Sequence, residues 1–344
     1  MKKFCFLVVL ILLVALFCAN GIAVAETSDN YRNTKAYELT KEICAYPRKA
    51  GIDKDGAVQT YLINKFNEAL GKDVAVKQTF TYGNSAEYCN VVAKIDRSSV
   101  SDKQIIIGAH YDSDGEGAAD NACGVAALII TMQNFVRSAN DLPCSVVFVA
   151  FDAEELGLLG SREYVSQMSE EQIENTLVMF NMDSIANGDN LYLWCENKRT
   201  SLADLIISKT DKIVEKPYAK GTYNLPDFYG YGYSETPQNT DQTPFRLAGI
   251  PTALFFSGTY SAEPWSYAES SDVNKRVMNT SKDTFENLEK NNGAEFVAKI
   301  EATVDAVTSS VLSENFAEVA ESQRSQLVNL SVWYNTWWGG VIVF

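Results

Sequence analysis

Residues 105–113 read IIIGAHYDS, an apolar run that ends in a histidine, a tyrosine and an aspartate. The apolar part, Ile105–Ala109, is continuous rather than alternating, which is typical of a central strand covered on both faces. Similar uninterrupted runs occur at Cys144–Phe151, Thr176–Met182 and Thr252–Phe256. These runs predict a sheet whose middle strands are buried on both sides.

Helical patterns separate the predicted strands. Apolar residues recur at helical spacing in Tyr31–Tyr46, Ala57–Leu70, Gly124–Ala139, Leu156–Gln167 and Phe296–Leu312. Two earlier strands are predicted at Asp73–Phe80 and Glu87–Ile95, and an edge strand at Leu191–Trp194. Residues 218–242 are rich in Gly, Tyr, Pro and Asn, which predicts a long surface loop near a substrate site. This alternation favours an α/β sandwich with a mostly parallel sheet.

The overall composition is that of an ordinary globular protein, with 46% apolar and 21% charged residues. A length of 344 residues fits one large α/β domain or two smaller ones. The formal net charge of -15 argues against a nucleic-acid partner, because phosphate binding requires clustered Lys and Arg. Solubility alone is a sufficient explanation for the acidity.

The first 25 residues have the features of a signal peptide. Lys2 and Lys3 precede an apolar run that reaches about Cys18, and the small residues Ala23 and Ala25 then form a cleavage site. We therefore expect cleavage after Ala25 and a secreted or cell-envelope protein without membrane contact. An uncleaved membrane anchor is the alternative, because the run approaches spanning length. A lipoprotein is a weaker option, because Cys18 lacks a convincing lipobox.

Residues 26–320 are predicted to form one domain, since no linker or internal repeat divides them. Residues 321–344 form an apolar, aromatic C-terminal segment that contains Trp333, Trp337 and Trp338. Packing of this segment against its own domain is favoured over contact with a membrane or a partner. Neither its role nor the oligomeric state can be read from the sequence, and the pairing of the five remaining cysteines stays open.

His110 is the only histidine of the chain and directly follows the first buried strand. A lone histidine is more often structural than functional. This one, however, lies at the carboxyl end of a strand, where open α/β sheets bind their ligands. Asp112 is placed two residues later, where it could accept the spare ring N–H of a metal-bound His110.

Carboxylates occur in three more segments that follow a predicted strand or precede a predicted helix. Asp120 lies in GAADNACG (117–124), Glu154 and Glu155 lie in FDAEELG (151–157), and Asp183 ends FNMD (180–183). Each has a simple explanation, since Asp caps helices and acidic residues in a first turn complement the helix dipole. Together, four carboxylates and one imidazole at strand ends are difficult to hold without cations, so they predict a zinc or related divalent site.

At this level of detail the chain resembles the M28 zinc aminopeptidases. The segments that carry the resemblance are IIIGAHYDS (105–113), GAADNACG (117–124), VVFVAFDAEELGLLGS (146–161), MFNMDSIA (179–186), TDQTPFRLAGIPTALFF (240–256) and NTSKDTFENL (279–288). The resemblance implies a three-layer sandwich with a mixed, mostly parallel sheet, of the zinc-dependent exopeptidase and phosphorylase-hydrolase type. It also implies a two-zinc hydrolase whose substrates are peptides.

The resemblance also implies a role for each matching residue. Asp120 bridges both ions and is followed by a cis peptide, His110 and Asp183 complete one site, and Glu155 belongs to the other. Glu154 is the general base that takes a proton from the attacking water and passes it to the leaving amine. Candidate donors to the oxyanion are Tyr229, Tyr231 and Tyr233.

Two histidines of the family pattern are absent from this chain. Asn279 stands where the fifth metal ligand is expected, and Gln242 replaces a second histidine near the site. An amide oxygen suits calcium, magnesium or manganese better than zinc. The sequence therefore predicts one firm zinc site, and a second site that is weak or takes another divalent ion.

Two functional hypotheses remain open. One is a working aminopeptidase that removes N-terminal residues from peptides. The other is a catalytically impaired relative that binds peptides or a partner. Retention of Glu154 and four of the ligands favours activity. A glutaminyl cyclase is less favoured, because the one-zinc site of those enzymes uses the histidine that Asn279 replaces.

Overall fold

The computed structural model describes residues 30–51, 56–83, 86–195, 201–215, 240–262 and 265–324. The predicted signal peptide lies outside the described residues. So do Tyr229, Tyr231 and Tyr233, and residues 325–344 of the C-terminal segment. Among the residues described, no helix is both long and apolar enough to cross a bilayer.

A mixed sheet forms the centre of the fold. Its strands are β1 (Val76–Tyr82), β2 (Ala86–Ile95), β3 (Gln104–His110), β4 (Ser145–Phe151), β5 (Thr176–Met182), β6 (Asn190–Trp194), β7 (Ile213–Glu215), β8 (Thr252–Ala262) and β9 (Trp265–Ala268). They are ordered β1-β2-β4-β3-β5-β8-β6-β7, and β9 pairs with β8. The four central strands, β4, β3, β5 and β8, are parallel, whereas β1, β2 and β6 join antiparallel.

Helices flank this sheet. They are α1 (Lys35–Cys44), α2 (Ala57–Leu70), α3 (Cys123–Arg137), α4 (Leu159–Ser166), α5 (Glu170–Asn175), α6 (Ser201–Ile207), α7 (Gln242–Leu247), α8 (Phe285–Asn292) and α9 (Ala294–Val311). Helix α3 packs against α1, α2 and α9 over one face of the sheet, and α4 packs against α7 on the opposite face. The α/β sandwich predicted from the sequence is thereby confirmed.

Strand β3 explains why its apolar run is continuous. Ile105 and Ile107 point into the large core beneath α3, whereas Ile106 points into a second core with Phe151 and Phe245. Both sides of the strand are therefore covered, and neither can carry polar residues. The parallel strands beside it place their carboxyl ends at one edge of the sheet, and His110 is the last residue of β3.

Two local predictions were wrong. Leu191–Trp194 was predicted to be an edge strand, but β6 lies between β8 and the three-residue β7. A strand as short as β7 leaves no recognisable pattern. The helix predicted from Leu156 begins only at Leu159, because Gly157 and Leu158 have φ values of 100° and 64° and form a turn.

Candidate metal centre

His110, Asp120 and Asp183 converge at the carboxyl edge of the central strands. Nε2 of His110 lies 3.1 Å from Oδ1 of Asp120 and 3.4 Å from Oδ1 of Asp183. One ligand atom from each residue lies within 4.8 Å of the others, and all three side chains are buried. Asp183 directly follows β5, and Asp120 lies in the turn Ala118–Ala122 that leads into α3. The peptide after Asp120 is cis, as the resemblance implied.

The imidazole and the carboxylates of this group shift one another's pKa. Burial alone would lower the pKa of His110, but Asp183, Asp112 and Asp120 raise it well above its usual value. Burial alone would raise the pKa of Asp183, but His110 holds it below its usual value. Oδ1 of Asp120 is buried and accepts no hydrogen bond of acceptable geometry from the residues that the structure describes. These carboxylate oxygens therefore face a position that favours a cation.

Asp112 contacts both His110 and the backbone of Glu154 and Glu155, the two acidic residues that follow β4. Its backbone carbonyl lies 3.2 Å from Nδ1 of His110, closer than its carboxylate at 3.6 Å. The carboxylate instead accepts hydrogen bonds from the backbone N–H groups of Glu154, at 3.0 Å, and Glu155, at 3.3 Å. Asp112 thus positions the turn that carries both glutamates, as well as lying next to the histidine ring.

Glu154 and Glu155 leave β4 through a tight turn in which Ala153 has a φ of 58°. Burial raises the pKa of Glu154 well above its usual value, although His110 opposes the effect. Burial, followed by the charge of Asp120, raises the pKa of Glu155 to about 8. Both residues are half-buried, so each keeps some surface in contact with solvent.

Asn279 lies beside Glu155. With its amide nitrogen toward Glu155, the orientation that satisfies both groups, Asn279 lies 3.2 and 3.3 Å from the two carboxylate oxygens. Its φ is 55°, a left-handed conformation that Asn tolerates better than most residues. The structure thus places Asn279, the residue at the predicted fifth ligand position, in contact with Glu155.

Asp283 was not singled out from the sequence. Its buried carboxylate accepts hydrogen bonds from the backbone N–H groups of Ala119, at 2.8 Å, and Asp120, at 2.9 Å. Burial, together with the charge of Asp120, raises the pKa of Asp283 to about 7, against the hydrogen bonds that lower it. Asp283 therefore orients the turn that presents Asp120. No local pattern distinguishes it from a helix cap, because its partners are more than a hundred residues away.

Asp283→Asn should weaken zinc binding by about 10- to 100-fold, because one of the two backbone donors would face an amide N–H instead of an oxygen. The dissociation constant for zinc, measured by competition with a chromogenic chelator, tests this. Asp272→Asn is the matched control, since Asp272 caps an exposed turn through the N–H of Asn274. Equal zinc affinities of the Asp283 variant and the wild type would contradict the orienting role.

Gln242, at the start of α7, contacts the strand that leads to Asp183. Nδ2 of Asn181 donates to the Gln242 side chain at 3.1 Å and to Oγ1 of Thr240 at 3.0 Å. The neighbouring Asp241 is fully buried, and within the described part of the chain neither of its carboxylate oxygens accepts a hydrogen bond of acceptable geometry. Burial raises its pKa to about 7. Asp241 was also missed from the sequence, where it stood only as part of a motif.

Arg48 was missed as well. It comes from the segment between α1 and α2, and its guanidinium is buried. It donates to the backbone carbonyls of Tyr111, at 2.8 Å, and Gly117, at 2.7 Å. Those carbonyls flank the loop that connects His110 to Asp120. The Arg48 guanidinium thus connects the segment between α1 and α2 to the loop that carries His110 and Asp120. Its positive charge also lies near the carboxylates of Asp112 and Asp120.

Comparisons with known proteins find an aminopeptidase and a zinc metalloprotease among the curated relatives of this chain. A curated relative, the aminopeptidase YwaD of Bacillus subtilis, is 29% identical over 192 residues, which cover 49% of this chain and 36% of that protein. A second, named an inactive zinc metalloprotease of Schizosaccharomyces pombe, is 31% identical over 169 residues, covering 47% of this chain and 20% of that protein. The matched regions are thus only about a third or less of these relatives' length.

A solved structure shows the same fold. The zinc aminopeptidase BSAP from Bacillus subtilis has a TM-score of 0.51 and 22% identity, over 67% of this chain and 52% of that one. The family model described as Peptidase family M28 matches residues 90–304, which is more than half of the chain. That region contains the whole cluster of His110, Asp120, Glu154, Glu155 and Asp183. The chain therefore belongs to Peptidase family M28.

Proposed function

We propose that this protein is an exported, zinc-dependent aminopeptidase that removes N-terminal residues from peptides. The observation that carries the proposal is the convergence of His110, Asp120 and Asp183 within ligand distance of one another. Membership in the peptidase family and the names of its relatives support the reaction class. Export rests on the signal-peptide features of residues 1–25, with release after Ala25.

The donor set of this site suits zinc. One imidazole and two carboxylates are typical zinc ligands, and three protein ligands leave a coordination position open. The two carboxylates contact one imidazole, and among the described residues the buried Oδ1 of Asp120 accepts no hydrogen bond of acceptable geometry. A divalent cation carries two positive charges and would neutralise both carboxylates, whereas a protonated His110 carries only one. When bound, zinc would supply a Lewis acid that acidifies water and polarises the scissile carbonyl.

Glu154 is the residue that we expect to move the proton. Its raised pKa suits a group that takes a proton from water and returns it to the leaving amine. Asp112 holds the backbone of Glu154 and lies beside His110, so the base and the ligand are fixed relative to each other. The surplus of carboxylates would also attract the positively charged N-terminus of a peptide.

The test is hydrolysis of a panel of aminoacyl-nitroanilides by the purified protein. We expect turnover that a chelator abolishes and added zinc restores. The same aminoacyl-nitroanilides with an acetylated amino group should not be cleaved. This control separates an aminopeptidase, which requires a free N-terminus, from an endopeptidase. The proposal fails if no residue of the panel is released with zinc, manganese or cobalt present.

Asn279 supports a second candidate, a catalytically impaired domain that binds peptides or a partner. The loss of a ligand histidine at this position and a relative named as an inactive metalloprotease support it. This candidate predicts that peptides bind without being cleaved. It also predicts that Glu154→Gln leaves the peptide dissociation constant unchanged.

A further inference from the structure

The half of the centre around Glu155 differs from the half around His110. The His110 ring contacts the carboxylates of Asp120 and Asp183, whereas the Glu155 carboxylate has an amide partner. The Asn279 amide spans both Glu155 oxygens, at 3.2 and 3.3 Å. One position beside both Glu155 oxygens is therefore taken by the Asn279 side chain.

Hydrogen bonding decides how the Asn279 amide is turned. If its oxygen faced Glu155, two oxygens would lie 3.2 to 3.3 Å apart, an arrangement that requires a proton or a cation between them. With the nitrogen toward Glu155, the amide donates to the carboxylate oxygens directly and needs neither. The amide then presents hydrogens, not lone pairs, to the place of the second ion.

The surrounding backbone holds Asn279 in this position. Both oxygens of the Glu269 carboxylate accept hydrogen bonds from the backbone N–H groups of Val277 and Met278, at 2.8 to 3.1 Å. The Asn187 side chain donates to Glu269 as well. On the other partner, the backbone N–H of Glu155 is held by Asp112. Hydrogen bonds within the protein thus hold the backbone next to Asn279 and at Glu155.

We infer that the Asn279 amide replaces the second metal ion by donating to Glu155, so that the centre binds a single ion at His110, Asp120 and Asp183. This inference rests on the metal site of the proposed function and changes one part of it. Glu155 then acts as a hydrogen-bond acceptor and not as a ligand. An amide cannot supply both the donor contacts to Glu155 and a strong ligand to zinc.

Metal titration of the whole protein tests this inference. Zinc is added stepwise to metal-free protein, and bound metal is measured after equilibrium dialysis. The wild type should saturate at one equivalent. The isosteric Asn279→Asp should saturate at two, because it turns the donor into a second carboxylate facing Glu155. Asn279→His should also take two, and both residues tolerate the positive φ. Glu155→Gln is the matched control and should remain at one.

The outcomes separate this inference from the proposed function. Two equivalents in the wild type, falling to one in Glu155→Gln, would overturn the inference and leave the aminopeptidase proposal intact. One equivalent in the folded Asn279→Asp and Asn279→His proteins would also overturn it, because the amide would not be what excludes the ion. One equivalent in the wild type without any peptidase activity would contradict the proposed function alone. No bound zinc would contradict both.

Discussion

Glu154→Gln should lower kcat for peptide hydrolysis by about 10²- to 10⁴-fold, the usual contribution of a general base. Glutamine keeps the size and the backbone contacts of Glu154, including the N–H that donates to Asp112. It removes only the ability to accept a proton from water. Because Glu154 does not belong to the His110, Asp120 and Asp183 cluster, bound zinc should stay the same.

Steady-state kinetics and metal analysis on the same preparation check this expectation. Glu170→Gln is a suitable control, since Glu170 is an exposed residue in the first turn of α5. Loss of activity together with loss of zinc would mean that Glu154 acts through the metal site and not as the base. Full activity of Glu154→Gln would remove the proton-transfer role altogether.

Without metal, the protein should be less stable at about pH 8 than at about pH 5, and zinc should reverse much of this difference. Burial raises the pKa of Asp241 and of Asp283 to about 7 in the folded protein. Unfolded aspartates titrate near pH ~4. Between these values the folded protein binds more protons than the unfolded chain, so the free energy of unfolding falls as pH rises. The raised pKa of His110 acts in the same direction above pH ~6.5.

Thermal unfolding at a series of pH values, with and without zinc, measures this effect. Zinc requires deprotonated ligands, so its binding and the increase in Tm it causes should be larger at about pH 8 than at about pH 5. Asp241→Asn should flatten the pH dependence of the metal-free protein by removing one of these groups. A metal-free Tm that increases steadily from about pH 5 to about pH 8 would contradict this account.

The parts of the fold that the sequence predicted are those with strong local patterns. The continuous apolar runs of β3 and β5 could only be buried strands, and their last residues had to lie at one edge of the sheet. The prediction that β6 is an edge strand was wrong because β6 also pairs with β7, which lies nearly twenty residues further along the chain. Short strands leave no periodicity to detect.

The residues of the candidate site also fall into two groups, those that could be predicted from local patterns and those that could not. His110 and Asp183 follow predicted strands, so their approach was expected from topology. Asp283, Asp241 and Arg48 depend on contacts across the fold. Asp283, for example, binds backbone donors 163 and 164 residues earlier in the chain. Position 279 was recognised only through a family resemblance, and its contact with Glu155 could not be read from any local pattern.

The short segment between Glu269 and α8 does two separate things. Asn279 contacts Glu155, and four residues later Asp283 holds the backbone of Asp120. The second contact does not depend on which side chain occupies position 279. A ligand can therefore be exchanged here without releasing the turn that serves the other half of the centre.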